Sequence, residues 1–385
     1  MSRAIDPLRI AVIAGTLGRA GAEKQLVYLV RSLRGLPVEL HVFSLTRDEH
    51  YEAALEELGC PPEWFGQRGN PALRLTALVR LLRGWQPDVI HSAHFYTNLY
   101  AGLAGKALGA LSVGASRGDP RMELAANGRW GPALARVTDG LLCNSHHSAA
   151  SWAAMGLRAE RLQVLPNVID LQEFDAQAAR PVEANLPGQV RAALVGRLIP
   201  VKRVDRFLRA LAAARRQAPE LAGVVIGDGL ERAALEAEAA SLGLTPDGVR
   251  FLGARPEVPA LLRQCHILAL TSEQEGFPNA LMEGMAAGLP VVSTPAGDAE
   301  RILQHGISGF LIGMDDEDAL AARLVELARS AALREQMGRA GRLRVEQCFQ
   351  LEGLGAAALS AYRRFAEMRG RARLAAALEV AGGGG

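Results

Sequence analysis

Short apolar runs rich in β-branched residues alternate along the chain with segments whose apolar positions recur at helical spacing. Between the first two runs, Leu26, Leu29 and Leu33 lie at such spacing, and Gly35 ends the predicted helix. This alternation predicts parallel strands joined by crossover helices in both halves of the chain. The predicted strands are "RIAVIAG", "VELHVFSL", "PDVIHSA", "LSVGAS", "GLLCNS" and "LQVLPN", then "VRAALVG", "GVVIGDG", "VRFLG", "HILALTS" and "PVVST".

An aperiodic segment rich in Ala and Pro, residues 175–189, separates the two halves and predicts a linker. We therefore expect two domains, residues 1–183 and 184–385, because a chain of 385 residues is too long for one ordinary core. A helical tail from about 351 to 378 could return to the first domain, and the final "AGGGG" predicts a flexible end. Two doubly wound domains would face a cleft at the carboxyl ends of their strands, where ligands are expected.

Composition narrows the class of protein. Apolar residues make up 49% of the chain, but no run of about 18 uninterrupted apolar residues occurs, which predicts a globular protein. The first apolar run is too short for a secretory signal, and the four cysteines show neither disulfide density nor zinc-site spacing, so a cytoplasmic location is expected. A net charge of +2 argues against binding to nucleic acid.

Four arginines cluster in the first half of the sequence, namely Arg117, Arg121, Arg129 and Arg136. Such a cluster could make peripheral contact with an anionic membrane surface, or it could be a solvated basic face. Both interpretations stay open at this point.

A short helix in the second half carries a single charge, that of Glu283. Asn279 suits its start and Gly288 its end, so a helix is expected over 279–287. Its other residues are apolar or small on every side, which predicts a buried helix. A carboxylate buried there would cost on the order of several kcal/mol without a hydrogen-bond partner. We therefore expect Glu283 to meet a ligand, for which its small neighbours leave room.

Cations and glycines follow two strands of the second half. Arg197 and Lys202 lie between a strand and a helix, where a diphosphate would meet two positive charges and the helix dipole. Gly227 and Gly229, after the next strand, would let a ligand approach the backbone. Each signal is weak alone, since loop cations are usually solvated and Gly-Asp-Gly is a common turn. Together they are more specific, because each lies at the carboxyl end of a strand in the same half of the chain and precedes the helix that carries Glu283.

Taken in this order, the motifs resemble those of the retaining glycosyltransferases of family 4, which have an α/β GT-B fold of two Rossmann-like domains. The most specific is the pair Glu275 and Glu283, which have seven residues between them in "EGFPNALME". The matching segments span nearly the whole chain: "GRAGAEKQLVYLVRSL", "CNSHHSAASWAAMG", "VLPNVID", "VGRLIPVKRVD", "VIGDG", "EGFPNALMEGMAAGLPVVST" and "GDAERILQHGISGFLI".

The resemblance implies a hexosyltransferase that takes a nucleotide sugar, most commonly a UDP-sugar, and needs no other cofactor and no metal. Glu283 would hold the ribose, Glu275 would lie near the transferred sugar, and Arg197 and Lys202 would stabilise the departing diphosphate. The departing phosphate would accept the proton of the acceptor, without a covalent intermediate. The backbone amides expected to face the donor are those of Gly276, Phe277, Asn279 and Ala280.

By the same resemblance the first domain binds the acceptor, a glycan or a lipid-linked saccharide. Gly21, with the two residues after it, matches the glycine-rich N-terminal signature of the family. His91 and His94 follow a predicted strand, and a satisfied structural role is favoured for each. Many relatives carry a histidine after the next strand that contacts the sugar, whereas this chain has Arg117 or Asp119 in that region.

An acidic run, "MDDEDAL", could be taken for a metal site. It immediately precedes a helical pattern, where carboxylates stabilise the helix N-terminus without any metal. We therefore predict a helix cap formed from Asp315, Asp316 or Asp318.

Three other functions stay open. A nucleotide-sugar epimerase or hydrolase would share the donor site, and a silent nucleotide-sugar-binding protein would share the fold. A nicotinamide dehydrogenase would need a Gly-x-Gly-x-x-Gly fingerprint after a first strand, and neither half has one. The transferred sugar, the choice of UDP or GDP, the acceptor and the linkage are not fixed by these residues.

Overall fold

The structure, a computed structural model, describes residues 7–67, 69–182, 186 and 189–383. Contacts between residues divide the chain into two compact units. The first unit contains the described residues through Val168 together with those from Leu351 onward, and the second contains those of Ile169–Gln350.

Both units contain short β-strands in their described residues. Their bounds are β1 Leu8–Ala14, β2 Val38–Ser44, β3 Glu63–Trp64, β4 Val89–Ser92, β5 Leu111–Ser116, β6 Gly140–Cys143, β7 Leu162–Val164, β8 Val190–Val195, β9 Leu221–Ile226, β10 Val249–Phe251, β11 Ile267–Leu270, β12 Val291–Ser293 and β13 Gly309–Leu311. All eleven predicted strands are confirmed. The sequence analysis does not predict β3, which has two residues, or β13, which has three.

Helices connect the strands and extend the chain beyond the last one. Their bounds are α1 Gly21–Arg34, α2 Glu52–Glu57, α3 Pro71–Trp85, α4 Asn98–Leu108, α5 Pro120–Asn127, α6 Gly131–Leu134, α7 His146–Ala154, α8 Leu171–Ala178, α9 Val204–Arg215, α10 Arg232–Ser241, α11 Val258–Leu262, α12 Asn279–Ala286, α13 Ala299–Ile302, α14 Glu317–Arg329, α15 Ala331–Cys348, α16 Leu354–Met368 and α17 Ala372–Gly382. None of them, within the described residues, is both long and apolar enough to cross a membrane.

Each unit has one parallel sheet. The strand order is β3-β2-β1-β4-β5-β6-β7 in the first unit and β10-β9-β8-β11-β12-β13 in the second. In both sheets the order reverses beside the unit's first strand, β1 or β8. The loops that leave the two strands at such a reversal diverge, which opens a crevice at the carboxyl ends where ligands of open α/β sheets bind.

The sheet of the first unit is covered on both faces because successive side chains of β1 point to opposite sides. Ile10 and Val12 pack in a cluster that includes residues of α1 and α16. Ala11 and Ile13 pack in a second cluster with residues of α3 and α4. The first unit is therefore doubly wound, as predicted.

The second unit repeats this arrangement around β8. Ala192 and Leu194 belong to a cluster with residues of α9 and α14. Ala193, between them, packs with residues of α8, α11 and α12 on the other face. Helix α12 lies directly on the sheet, in contact with β11 and β12.

The connections between the units differ from the expectation. The predicted boundary between residues 183 and 184 lies outside the described residues, and contacts change instead after Val168, because Leu171 and Phe174 of α8 pack in the core of the second unit. The predicted linker is wrong for its first four residues, since α8 continues through Ala178 and Asp175 pairs with Arg342 at 2.7 Å.

The C-terminal tail is two helices rather than one. Gly370, with φ of +68°, lies between α16 and α17 and adopts a left-handed conformation that ends a helix. Helix α17 continues to Gly382, so the predicted flexible "AGGGG" is helical at its start, while residues 384–385 lie outside the described part. Both helices pack in the first unit.

Candidate functional site

The loops that follow β8 and β9 pack tightly against each other. The amide of Gly196 donates to the carbonyl of Ile226 at 3.0 Å, and the amide of Leu198 donates to that of Asp228 at 2.9 Å. A Cβ at Gly227 would lie 1.9 Å from the carbonyl oxygen of Gly196, and one at Gly229 would lie 2.3 Å from that of Leu198. This packing alone requires both glycines, so their proximity to a diphosphate stays a prediction.

Lys202 and Glu275, predicted separately, meet in an ion pair. The Lys202 Nζ lies 2.5 Å from the Glu275 Oε1, and the Ser272 hydroxyl donates to the same oxygen at 2.7 Å. Only 21% of the lysine side chain and 12% of the glutamate side chain are exposed. The loops after β8 and β11 therefore bring opposite charges to one point at the carboxyl edge of the sheet.

Main-chain bonds hold these two loops in register. The Thr271 hydroxyl donates to the carbonyl of Lys202 at 3.0 Å, and the amide of Glu273 donates to that of Val201 at 2.8 Å. The Glu273 carboxylate accepts from the buried Arg206 at 2.9 Å. The bonds of Thr271 and Glu273 therefore hold the segment that leads to Glu275 against the loop after β8. The sequence patterns did not identify these supports.

Arg197 is placed differently from Lys202. Its side chain is exposed at the end of β8, and no hydrogen bond or ion pair of its guanidinium is found in the described part of the chain. A guanidinium that is exposed beside a strand end has its full donor set available to an anion.

Helix α12 begins where the sequence predicts and ends one residue before the predicted end at 287. It covers Asn279–Ala286, and Gly288 adopts a left-handed φ of +77° just beyond it. The expectation of burial on every side is wrong, because Asn279, Ala280 and Glu283 are only partly buried. These three residues are spaced one and three positions apart and share one face, while the opposite face packs on the sheet. Glu283 therefore lies at an accessible surface of the helix rather than in the core.

The segment between Glu275 and α12 is held by a glycine that sequence reasoning did not single out. Gly297 has a φ of +59°, and a Cβ there would lie 2.4 Å from the carbonyl oxygen of Gly276. The amide of Asp298 also donates to that carbonyl, at 3.3 Å, and the buried Phe277 packs edge-on against Phe349. The signal for Gly297 was its place in the turn-forming "PAGD" after β12.

In the first unit, the glycine-rich segment is tied to a histidine. The His94 Nδ1 accepts from the amide of Gly15 at 3.1 Å, so the proton resides on Nε2, which donates to the Glu23 carboxylate at 3.2 Å. His94 therefore has the structural role that was favoured for it. Gly21 is the first residue of α1 and is exposed.

Asp119 and Arg117 both follow β5, but their side chains make different contacts. The Asp119 side chain caps α5 by accepting from the amide of Arg121 at 2.8 Å, and it also bonds the His147 Nε2 at 3.0 Å. Arg117 donates its amide to Glu123 at 2.7 Å, and its buried Nε has no hydrogen-bond partner within the described residues. Burial lowers the pKa of Arg117 and raises that of Glu123 to about 7.

The acidic run is a helix cap, as predicted. The Asp316 side chain accepts from the amide of Ala319 at 2.8 Å and begins α14, and Asp315 pairs with Arg206. Across residues 7–67, 69–182, 186 and 189–383, no group of three or more His, Cys, Asp or Glu side chains could hold a metal ion.

Comparison with known proteins identifies the class to which this chain belongs. The family described as Glycosyltransferase Family 4 matches residues 19–173, and Glycosyl transferases group 1 matches residues 176–344. A GDP-mannose-dependent alpha-mannosyltransferase of Mycobacterium tuberculosis is 31% identical over 70% of this chain and 73% of its own length. A D-inositol 3-phosphate glycosyltransferase of Kribbella flavida is 27% identical over 92% of each chain.

Solved structures agree on the fold. The Anabaena protein HepE, solved in complex with UDP and glucose, superimposes with a TM-score of 0.76 over 94% of this chain and 100% of its own, at 22% identity. The chain belongs to the family 4 glycosyltransferases and has the GT-B fold. It is a glycosyltransferase, which confirms the predicted family, fold class and enzyme class.

Proposed function

We propose that the protein transfers a hexose from a UDP-sugar to a glycan or lipid-linked acceptor with retention of the anomeric configuration. The observation that carries this proposal is the Lys202–Glu275 ion pair, one loop ahead of the accessible face of α12 that bears Glu283. In this arrangement Lys202 can pair with the diphosphate, Glu275 can contact the sugar, and Glu283 on the helix can contact the ribose.

The charges suit the reaction. Loss of a nucleoside diphosphate from an anomeric carbon builds negative charge on the phosphate and positive charge on the sugar. Arg197 and Lys202 stabilise the phosphate, and Glu275 stabilises the sugar or accepts a hydroxyl hydrogen bond from it. The leaving phosphate takes the proton of the attacking hydroxyl on the same face, so retention needs no covalent intermediate.

The nucleotide is placed by the start of α12. The N-terminus of a helix favours an anion through its first amides and its dipole, so those of Asn279 and Ala280 donate to the phosphate oxygens. Gly276 and Phe277 hold the backbone before the helix, and Glu283 accepts from the ribose hydroxyls. UDP is supported by HepE, whose structures contain UDP, whereas the mannosyltransferase relative is named for GDP-mannose.

Peripheral contact with an anionic membrane belongs to the same proposal if the acceptor is lipid-linked. Trp130, with 62% of its surface exposed, lies under the guanidinium of Arg129 at 5.4 Å, and Arg121 and Arg136 are exposed nearby in sequence. Aromatic and basic side chains of this kind bind the headgroup region. Cosedimentation with phosphatidylglycerol vesicles, but not with phosphatidylcholine vesicles, tests this part.

Acceptor-dependent release of nucleotide tests the main proposal. Purified protein is incubated with UDP-glucose, UDP-galactose, UDP-N-acetylglucosamine and GDP-mannose, each with and without saccharide, lipid-linked saccharide and inositol phosphate acceptors. We expect release of UDP that requires an acceptor and persists in EDTA. Equal consumption of donor without acceptor indicates a hydrolase or epimerase, and binding without turnover indicates a silent protein. Loss of activity in EDTA that magnesium restores contradicts the role of Arg197 and Lys202.

A further inference from the structure

Two arginines of the second unit meet at one carboxylate, that of Glu273. Arg206 of α9 donates to the Glu273 Oε1 at 2.9 Å, and the Arg203 guanidinium pairs with the same oxygen. Arg203 also bonds the Asp205 carboxylate at 2.9 and 3.0 Å. We call Arg203, Arg206 and Glu273 the Glu273 cluster.

The Glu273 cluster lies next in the chain to both members of the Lys202–Glu275 pair. Arg203 follows Lys202 directly, and Glu273 precedes Glu275 by two residues, so the Cα atoms of these two glutamates are at most about 7 Å apart. The amide of Glu273 donates to the carbonyl of Val201 at 2.8 Å, while its side chain is held by the two arginines. Residue 273 is therefore restrained through both its main chain and its side chain, without the help of the Lys202–Glu275 pair.

Both arginines of the cluster have features that cost stability. Arg206 is only 4% exposed, and its Nη1 has no hydrogen-bond partner within the described residues. A buried unpaired donor costs free energy. Arg203 has φ of +47° and ψ of +49°, a left-handed conformation that residues other than glycine seldom adopt. Such features concentrate at functional positions, where the surrounding structure holds them in place.

The burial of the partners indicates that Arg206 contributes little to stability. Glu273 has 38% of its side chain exposed, and Asp315, which also pairs with Arg206, has 81% exposed. Loss of the Arg206 charge would therefore leave neither carboxylate buried without a counter-ion. Replacement of a buried arginine by an apolar residue of similar volume is often neutral for stability. What such a replacement would remove is the bond that positions Glu273.

Donor binding increases the importance of this bond. In the proposed function Lys202 binds the diphosphate, so Glu275 loses its counter-ion when the donor arrives. The Ser272 hydroxyl, which bonds Glu275 at 2.7 Å, belongs to the same segment and moves with it. The restraints that remain on the segment are its bonds to the loop after β8, through Thr271 and the Glu273 amide, and the two arginines at the Glu273 carboxylate.

We propose that Arg203 and Arg206 are positioning residues of the transfer reaction, which act through Glu273 to keep Glu275 beside the sugar while Lys202 binds the diphosphate. This role rests on the proposed function, because it requires Glu275 to contact the transferred sugar. Neither arginine touches the donor, so removal of either should lower turnover and leave the affinity for the nucleotide in place.

Steady-state kinetics of Arg206→Met test this role. We expect kcat to fall at least tenfold, the Kd for UDP to change less than threefold, and the Tm to stay at or above that of Arg209→Met. Arg209→Met is the matched control and should keep kcat within twofold. Arg209 lies one turn further along α9 and pairs with Glu317 at 2.6 Å and Glu238 at 2.9 Å, but it has no bond with residues 271–275 within the described part of the chain.

Three results of these measurements would overturn the proposal. The first is a kcat of Arg206→Met within twofold of the wild type. The second is a loss of UDP affinity as large as the loss of kcat. The third is a Tm below that of Arg209→Met, which would mark Arg206 as a residue kept for stability.

A double-mutant cycle shows whether Arg206 acts through Glu275. In the Glu275→Gln background the charge beside the sugar is already absent, so Arg206→Met should change kcat less than twofold there. An equal fall in kcat in both backgrounds overturns the proposal. Glu273→Ala, which removes the acceptor of both arginines, is the second variant and should give the same pattern if Arg206→Met does not fold.

Hydrogen exchange gives a readout that needs no turnover. With UDP at saturation, peptides that cover residues 271–277 should exchange at least tenfold faster in Arg206→Met than in the wild type, and Arg209→Met should match the wild type. Equal exchange in all three proteins overturns the positioning role.

The two proposals fail separately. If the wild type shows no acceptor-dependent release of UDP, the proposed function fails, whereas faster exchange in Arg206→Met still shows that Arg206 holds the segment. If the wild type is active and Arg206→Met matches it in both kcat and exchange, the proposed function stands and the positioning role is wrong.

Discussion

At the scale of single residues, the Lys202–Glu275 pair affects donor binding if, as proposed, Lys202 binds the diphosphate. In the free protein each charge is the other's counter-ion, at 2.5 Å and with most of both side chains buried. A bound diphosphate competes with Glu275 for the ammonium of Lys202. Part of the lysine's attraction for the donor is therefore offset until the pair rearranges.

Substitution of Glu275 should separate turnover from nucleotide affinity. Glu275→Gln keeps the shape of the side chain but removes the charge beside the reacting sugar, so kcat should fall on the order of 100-fold. Because the variant also releases Lys202, the affinity for bare UDP should stay unchanged or rise a few-fold. Steady-state kinetics and calorimetric titration with UDP measure the two effects. A tenfold loss of UDP affinity would contradict this role.

Substitution of Glu283 should give the reverse pattern. Glu283→Ala removes a charged acceptor proposed to bind the ribose, which is typically worth about 1.5 to 3 kcal/mol. Because Glu283 is only partly buried, we expect the lower end, roughly a tenfold weaker Kd for UDP, with kcat at saturating donor largely kept. Glu300→Ala, at an exposed glutamate in α13, is the control in the same calorimetric titration. Unchanged UDP binding by a folded Glu283→Ala protein would refute the ribose assignment.

Glu123 should make stability depend on pH. Burial raises its pKa from an ordinary 4.5 to about 7, so between these values the folded protein binds a proton that the unfolded chain has released. Stability from this group is fully present below pH 4.5 and is lost as pH rises through 7. The full shift corresponds to about 3 kcal/mol, and partial exposure of the residue reduces the expected loss to about 1 to 2 kcal/mol.

Urea unfolding of the wild type and of Glu123→Gln at intervals from pH 4.5 to 8 measures this effect. As pH rises, the free energy of unfolding of the wild type should fall relative to that of Glu123→Gln. A difference that is independent of pH, or one that moves in the other direction, would show that the carboxyl titrates near its ordinary pKa.

At the scale of elements, α12 shows which structural features can be predicted from the sequence and which cannot. Its start, its end and the left-handed Gly288 follow from local preferences that operate within a few residues. The exposure of Glu283 does not follow from local preferences. The packing of α12 on β11 and β12 decides which side of the helix is covered, and the small residues of α12 fit a buried or an exposed side equally well. The same limit applies to the Lys202–Glu275 pair, whose members are 73 positions apart.

Gly297 should be required for the geometry of the segment before α12. Gly297→Ala places a methyl group 2.4 Å from the carbonyl of Gly276 in addition to a strained φ, whereas Gly306→Ala has a similar φ of +76° and open space around it. We expect Gly306→Ala to lose about 1 kcal/mol of stability, and Gly297→Ala to lose more and to bind UDP at least tenfold less tightly. Equal effects of the two substitutions on UDP titration would show that the contact with Gly276 is unimportant.

At the scale of the whole molecule, the sequence predicts two α/β units but not where the chain passes between them. The alternation of strands and helices predicts a parallel sheet in each unit, because each crossover helix connects strands that are close in sequence. The division after Val168 and the return of residues from Leu351 onward depend on contacts between distant segments, such as that of the Gly355 amide with the Ser32 hydroxyl at 2.7 Å. No periodic pattern reports such contacts.

An experimental structure with UDP bound tests the central claim most directly. We predict that the ribose hydroxyls lie within hydrogen-bond distance of Glu283, and that the diphosphate contacts Lys202, Arg197 and the first amides of α12. Density for UDP in the second unit but away from α12, or in the first unit, would contradict the account of the donor site.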